Sequence, residues 1–264
     1  MKLTSKQHDD LGLSLYKSLK AQTSIAPLTN TFDDIDIEDG YLISKVMLTH
    51  RLTNDGVSVI GKKIGVTSAP VQKMLGVFQP DFGFLTSDMI YKNGATISIS
   101  NTMIQPKAEA EIAFRLNKDL LGPNVTEQDV LDATECIMPC FEIVDSRIDD
   151  WKIKIEDTVA DNASCGVFVL GDVELDPREH DLPSLSVKVF KNDQPLSEGL
   201  GSAVQGNPLT AVAWLANTLG EFGIELKAGE VILSGSVVPL EPVIAGDKMH
   251  MELEGLGSTT LFFS

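Results

Sequence analysis

Basic residues are scarce in this chain. Across 264 residues, 21 Lys and Arg face 38 Asp and Glu, for a formal net charge of −17. A field of that sign repels nucleic acid and anionic membrane surfaces, and no Lys/Arg run offsets it. It also repels small acids, so a site for an acidic substrate needs local positive charge from a metal or a lysine. Long apolar runs are missing as well. No window of about 18 apolar residues occurs, so no membrane span is expected. Residues 1–10 carry no apolar signal core. Cysteine is rare: Cys136, Cys140 and Cys165 sit among apolar or small residues. We read them as reduced, buried thiols of a cytoplasmic protein. A zinc site would need more soft ligands, and His8, His50, His180 and His250 are scattered. There is no P-loop, dinucleotide fingerprint, Gly-x-Ser-x-Gly elbow or zinc helix motif, and no repeat of 20–50 residues.

What is present is 43% apolar residues, enough for one large core or two small ones. The first 55 residues read as helix, with Leu11, Leu15, Leu19, Ile43, Val46 and Met47 near helical spacing and a break at Ile25–Thr29. From Val57 the texture becomes strand and turn. Val57–Val66, Phe82–Leu85, Thr96–Ser100, Ala108–Phe114, Met138–Val144 and Gly166–Gly171 read as strands. Leu185–Phe190 opens a hairpin that turns at Lys191-Asn-Asp-Gln. Short helices are expected after Ser68 as N-cap, from Thr126 with a capping box, and near Glu156–Ala160. Pro208–Gly220 reads as an amphipathic helix, and the tail returns to strand. The expected organisation is a helical segment over 1–55 and a β-rich catalytic domain over 56–264, forming one functional unit.

Four constellations carry chemistry. In Lys107-Ala-Glu-Ala-Glu-Ile-Ala-Phe114, strand alternation puts Glu109 and Glu111 on one face and Ile112 and Phe114 on the other. Two carboxylates 4 Å apart repel by about 4 kcal/mol in a protein-like dielectric, so the pair faces water or holds a cation. Glu142 lies in an apolar run, where a lone charge is costly unless paired or metal-bound. Three carboxylates without His or Cys suit a hard ion such as Mg²⁺ or Mn²⁺; the plain alternative is a solvated strand edge. In Gly61-Lys-Lys-Ile-Gly65, a buried Lys63 would need an anion, although a solvated pair of lysines is the commoner arrangement. Asp81, between proline and aromatics, is a candidate proton shuttle with a raised pKa, against an Asx-turn cap. Asp145 and Arg147 read as a structural ion pair, and Asp157–Gly166 as a candidate pocket floor.

These segments, in order, resemble the 2-keto-4-pentenoate hydratase family of the fumarylacetoacetate hydrolase-like superfamily. The matching stretches are Ile60–Ser68, Gln79–Gly83, Gln105–Ala113, Phe141–Ile148 with Asp150-Trp151, Asp157–Gly166, Ala228–Gly235 and Gly255–Ser258. Each is weak alone; jointly they span nearly the whole chain. The resemblance implies an α+β, mostly β fold of twisted mixed sheets around a β-roll-like core, with a small helical N-terminal part. It implies Mg²⁺ or Mn²⁺ on Glu109, Glu111 and Glu142, catalytic roles for Lys63 and Asp81, and Ser164 near the substrate. The implied activity is hydration of a small 2-hydroxy-dienoic (2-oxo) acid by a homo-oligomer in the meta-cleavage degradation of aromatic compounds. A sister enzyme of the same fold, 4-oxalocrotonate decarboxylase, is the alternative and a possible physical partner. Met138–Ile148 and Asn162–Gly171 are more similar to the hydratase. A non-catalytic scaffold is disfavoured, because every implied site residue is intact.

Overall fold

The computed structural model describes residues 3–264, and of Pro70, Met74 and Leu75 the backbone alone. Local chemistry accounts for the two long helices. Helix α1 (Ser5–Ala21) starts at Thr4 and α2 (Ile37–Asn54) at Asp36, each with a reciprocal capping box to the residue three positions on. The expected break between them extends from Gln22 to Asp36. Then come β1 (Val59–Gly65), α3 (Ala69–Leu75), β2 (Asp81–Thr86), β3 (Ile90–Lys92), β4 (Thr96–Ile97) and α4 (Ile99–Thr102). They are followed by β5 (Pro106–Leu116), α5 (Glu127–Ala133), β6 (Thr134–Asp145), α6 (Ile155–Ala160) and β7 (Cys165–Leu170). The chain closes with β8 (Ser186–Lys191), β9 (Gln194–Leu200), α7 (Pro208–Gly220), β10 (Val231–Ser236), β11 (Glu241–Pro242), β12 (Lys248–Leu253) and β13 (Gly257–Phe263).

Two local expectations change. The strand expected over Thr96–Ser100 stops at Ile97, because a helical turn begins at Ile99 and Thr102 Oγ1 donates to Ser98 O at 2.6 Å. Ser68 does occupy the N-cap of α3, but its side chain makes no capping hydrogen bond. The β8–β9 hairpin forms as expected, with Asn192 and Asp193 at φ 53° and 63°, the positive values of a type I′ turn.

Eight strands form the main sheet, in the order β2-β1-β10-β5-β6-β7-β3 with β11 beside β5. The pairs β1–β10 and β3–β7 are parallel, so the sheet is mixed. It curls until β2 meets the start of β7. A Cβ on Gly83 would lie 2.4 Å from Asn162 O and 2.7 Å from Cys165 Sγ, so only glycine permits the approach. The outer face of the roll, with Ile112, Phe114, Phe141 and Ile232, packs on α7 and on a second sheet of order β4-β13-β12-β8-β9. Each large side chain buried there contributes about 1.5–3 kcal/mol. The inner face carries a smaller apolar cluster, including Leu85, Met138, Phe168 and Leu233. Leu15, Ile43 and Met47 of the N-terminal helices pack on Ile148 and Ala160, bracing the segment after β6. Among the described residues, no helix is long and apolar enough to cross a membrane.

Candidate metal centre and its surroundings

The alternation read from the sequence is realised on β5 and β6. Glu109 lies directly opposite Glu142, and Glu111 opposite Cys140. All three carboxylates therefore project from the inner face, and each offers an oxygen within 4.8 Å of the others. Glu111 and Glu142 are 0% and 1% exposed, which excludes the solvated-edge alternative. Glu111 Oε2 accepts the Gly235 N–H at 2.8 Å, but Glu111 Oε1 and both Glu142 oxygens lack a hydrogen-bond donor. Burial, then the neighbouring Glu142, pushes the Glu111 carboxyl far above its usual range. Glu109 keeps an edge toward solvent, yet its carboxyl sits deep enough that burial and Glu142 raise it to about 7.

Adjacent lysines on β1 separate to opposite faces. Lys62 pairs with Glu230, its Nζ 2.6 Å from Oε1 and 2.5 Å from Oε2. Lys63 turns inward, its Nζ 3.3 Å from Glu142 Oε1. Both lysines are 3% exposed, so the solvated pair is not what forms. Burial opposes the Lys63 charge, but Glu142 and the other acids nearby overcome it and hold its pKa above the ordinary value. The contact with Glu142 is an ion pair without good hydrogen-bond alignment, which leaves the ammonium's donors available.

Asp81 opens β2 opposite Gly65 and is buried, with neither oxygen accepting a side-chain or backbone donor at good geometry. It is thus a shielded carboxyl, not an Asx-turn cap. Burial raises its pKa, against the pull of Lys63. A Cβ on Gly65 would lie 2.2 Å from Asp81 Oδ1 and 3.5 Å from Lys63 Nζ. The missing side chain leaves space that the carboxyl and the ammonium both border. Tyr41 of α2 stacks on Phe82 next door, with ring centroids 4.3 Å apart.

The expected Asp145–Arg147 ion pair is replaced by another. Arg147 Nε donates to Asp161 Oδ1 at 2.5 Å, and the Arg147 backbone N–H to Oδ2 at 2.9 Å. The rest of the guanidinium donates to the carbonyls of Asp145, Cys165 and Asp161. Asp145 instead accepts the backbone N–H groups of Ile104 and Gln105. Asp161 is pushed up to about 6 by burial, with Arg147 opposing. Ser164 is buried, and its hydroxyl donates to Asp161 Oδ2 at 3.4 Å. It directly precedes Cys165, whose thiol lies near Lys63, Glu142 and Asp81.

Asn162, Ala163 and Ser164 all hold φ between 51° and 54°, a rare region for three successive non-glycine residues. The Asn162 amide pins the segment by exchanging hydrogen bonds with the Phe84 backbone at 2.8 and 3.0 Å. Sequence reasoning singled out neither the Arg147–Asp161 pair nor this clamp. Position gives no cue to them, since the partners are distant in the chain.

The arrangement fits a hard divalent cation. Three clustered carboxylates, two of them buried with orphaned oxygens, face one lysine, and the thiols of Cys140 and Cys165 are driven upward by burial, which keeps them protonated. Cys136, Cys140 and Cys165 are all free and buried.

The chain is similar to known proteins along most of its length. The family model for fumarylacetoacetate (FAA) hydrolase C-terminal matches residues 57–261. A 2-hydroxyhexa-2,4-dienoate hydratase of Comamonas testosteroni is 59% identical over 254 residues, 96% of each chain. A 2-hydroxypent-2,4-dienoate hydratase of Pseudomonas putida is 59% identical over 216 residues, 82% of this chain and 97% of that one. Among solved structures, 4-oxalocrotonate decarboxylase from Pseudomonas putida G7, complexed with magnesium and adipate, superposes with a TM-score of 0.96 at 33% identity, covering 99% of both chains.

Proposed function

This chain belongs to the fumarylacetoacetate hydrolase family, and from that premise we propose that it is a hydro-lyase of 2-hydroxypenta-2,4-dienoate. The product is 4-hydroxy-2-oxopentanoate, and the setting is meta-cleavage degradation of aromatic compounds. The observation that carries the reading is the carboxylate trio Glu109, Glu111 and Glu142 beside Lys63 and Asp81, in a chain 59% identical to two dienoate hydratases. The decarboxylase shares the fold at 33% identity, so the hydratase is the better-supported activity. The hexadienoate relative makes the methyl-substituted dienoate a second substrate to test.

Glu109, Glu111 and Glu142 would hold Mg²⁺ or Mn²⁺, which when bound supplies Lewis-acid charge for the substrate's C1 carboxylate and C2 oxygen. Lys63 stays protonated and neutralises the carboxylate, or the enolate that forms at C2. Asp81, whose carboxyl is held protonated more readily than usual, delivers a proton to C5. With the C2 hydroxyl proton released to solvent, that converts the dienol to an α,β-unsaturated ketone, and solvent returns a proton to Asp81 at the end of the cycle. Water then adds at C4, and its proton passes to C3 with Asp81 available as the acceptor that relays it. Ser164 lies against the substrate, oriented by Asp161. The helical segment over 1–55 works with the β-rich part as one unit, through the packing of Leu15, Ile43 and Met47 on Ile148. A homo-oligomer in the cytoplasm, in contact with a decarboxylase that supplies the unstable dienol, completes the reading.

The deciding test is an absorbance assay on freshly generated 2-hydroxypenta-2,4-dienoate with and without Mg²⁺, beside the hexadienoate and 4-oxalocrotonate. Metal-dependent loss of the dienol with 4-hydroxy-2-oxopentanoate as product supports the hydratase. CO₂ release from 4-oxalocrotonate without turnover of either dienoate overturns it.

A further inference from the structure

One strand face runs from the buried site to solvent. On β5, Glu111 is fully buried, while Glu109 and then Lys107 are half-buried, so the cluster opens toward Lys107. Among the described residues Lys107 has no ion-pair partner; its ammonium lies 4.2 Å from the centroid of the Trp151 ring. A cation over an indole is attracted to the ring face yet keeps its hydrogen-bond donors free. The indole is itself fixed, with Nε1 donating to Gln105 O at 3.0 Å. Its placement is strained: Asp150 and Trp151 both hold φ at 55°, which a bulky residue rarely adopts. In a chain of charge −17, a lysine left unpaired at the mouth of an acidic site, under a ring held by a strained turn, calls for a ligand.

We propose that Lys107, seated under Trp151, is the mouth cation that draws the anionic 2-oxo or 2-hydroxy acid toward the Glu109 cluster and holds it there. The inference rests on the hydratase reading for the identity of that acid. Lys107 is a substrate-positioning residue, distinct from Lys63 deeper in the roll. It offsets the repulsion that the acidic surface imposes on an approaching carboxylate, an effect that salt screens over about 8–10 Å.

The test compares wild type, Lys107→Met and Lys107→Arg, all Mg²⁺-loaded, for turnover of the dienoate across a salt series. In Lys107→Met, KM rises about tenfold while kcat stays within about twofold, and the fall of kcat/KM with salt flattens. Lys107→Arg restores both. Mg²⁺ affinity of the Met variant is equal to or tighter than wild type, since a positive neighbour of Glu109 is gone. Unchanged KM with an unchanged salt slope overturns the proposal, as does an equal fall in kcat and kcat/KM. Wild type inert toward every dienoate would instead overturn the hydratase reading. Calorimetric binding of 2-oxopentanoate to the Mg²⁺-loaded proteins then decides: weaker binding in the Met variant alone supports the mouth cation, and equal binding in all three overturns it.

Discussion

Two buried charge clusters share strand β6 and its continuation, and they follow opposite rules. Around Arg147 and Asp161, the guanidinium donors reach a carboxylate oxygen or a backbone carbonyl, and both Asp161 oxygens accept at least one donor. Around Glu109, Glu111 and Glu142, orphaned oxygens remain and like charges face one another. Glu111 and Glu142 are as fully buried as Arg147 and Asp161, so burial alone does not separate a structural cluster from a working one. The difference is completeness. A satisfied network fixes backbone, while an unsatisfied one holds capacity for a cation and substrate.

Removing one member of the satisfied cluster gives the largest expected change in stability. Arg147→Met strands the Asp161 carboxylate and three carbonyls, a loss of about 3–5 kcal/mol in urea unfolding. Mg²⁺ does not restore it. A loss under about 1 kcal/mol would show that the pair is no more structural than the glutamates, and the comparison would fail.

Asp81 sharpens the comparison from the other side. Its oxygens have no partners to strand, so Asp81→Asn leaves folding and Mg²⁺ affinity near wild type while slowing kcat by about 10²–10³. Full turnover in that variant would remove Asp81 from the chemistry.

The two clusters were not equally legible in the sequence. Glu109 and Glu111 could be read because a strand repeats every two residues, and Glu142 because its neighbours are apolar. Spacing assigns Arg147 to Asp145, two residues away, whereas its partner Asp161 ends α6 and is followed by a left-handed segment of Asn, Ala and Ser. Nothing in those residue types announces φ near +50°; the Asn162 clamp on β2 imposes it. The split of Lys62 and Lys63 follows from alternation once β1 is buried on both faces, and that burial comes from the curl of the sheet, a long-range property. Gly83 makes the curl possible, yet its role shows only when β7 is seen against it.

Proton linkage gives the comparison a sign. The Glu109 carboxyl moves from 4.5 to about 7 on folding, so the folded chain binds protons more tightly than the unfolded one. Its favourable contribution to metal-free stability is complete below pH 4.5 and is lost as pH rises through about 7. Glu109→Gln removes that dependence. Without metal, the variant gains on wild type across this window, by on the order of 2–3 kcal/mol at the upper end. With saturating Mg²⁺ the order reverses, because wild type alone keeps the complete carboxylate set. A variant less stable than wild type at every pH without metal would mean that the trio is satisfied in a way its geometry does not express.

Ser164 lies where the two clusters meet, and its substitution is the finest probe of the boundary. Its hydroxyl reaches Asp161 at 3.4 Å, a long bond to a carboxylate already held by Arg147, and Cys165 carries the chain straight on to the glutamates. Ser164→Ala therefore strands no charge. The expected stability loss is under about 1 kcal/mol, while a hydroxyl that touches substrate costs up to about tenfold in kcat/KM on removal. Loss of stability without loss of kcat/KM would assign Ser164 to the Arg147 cluster and move the substrate boundary inward, to Cys165 and Lys63.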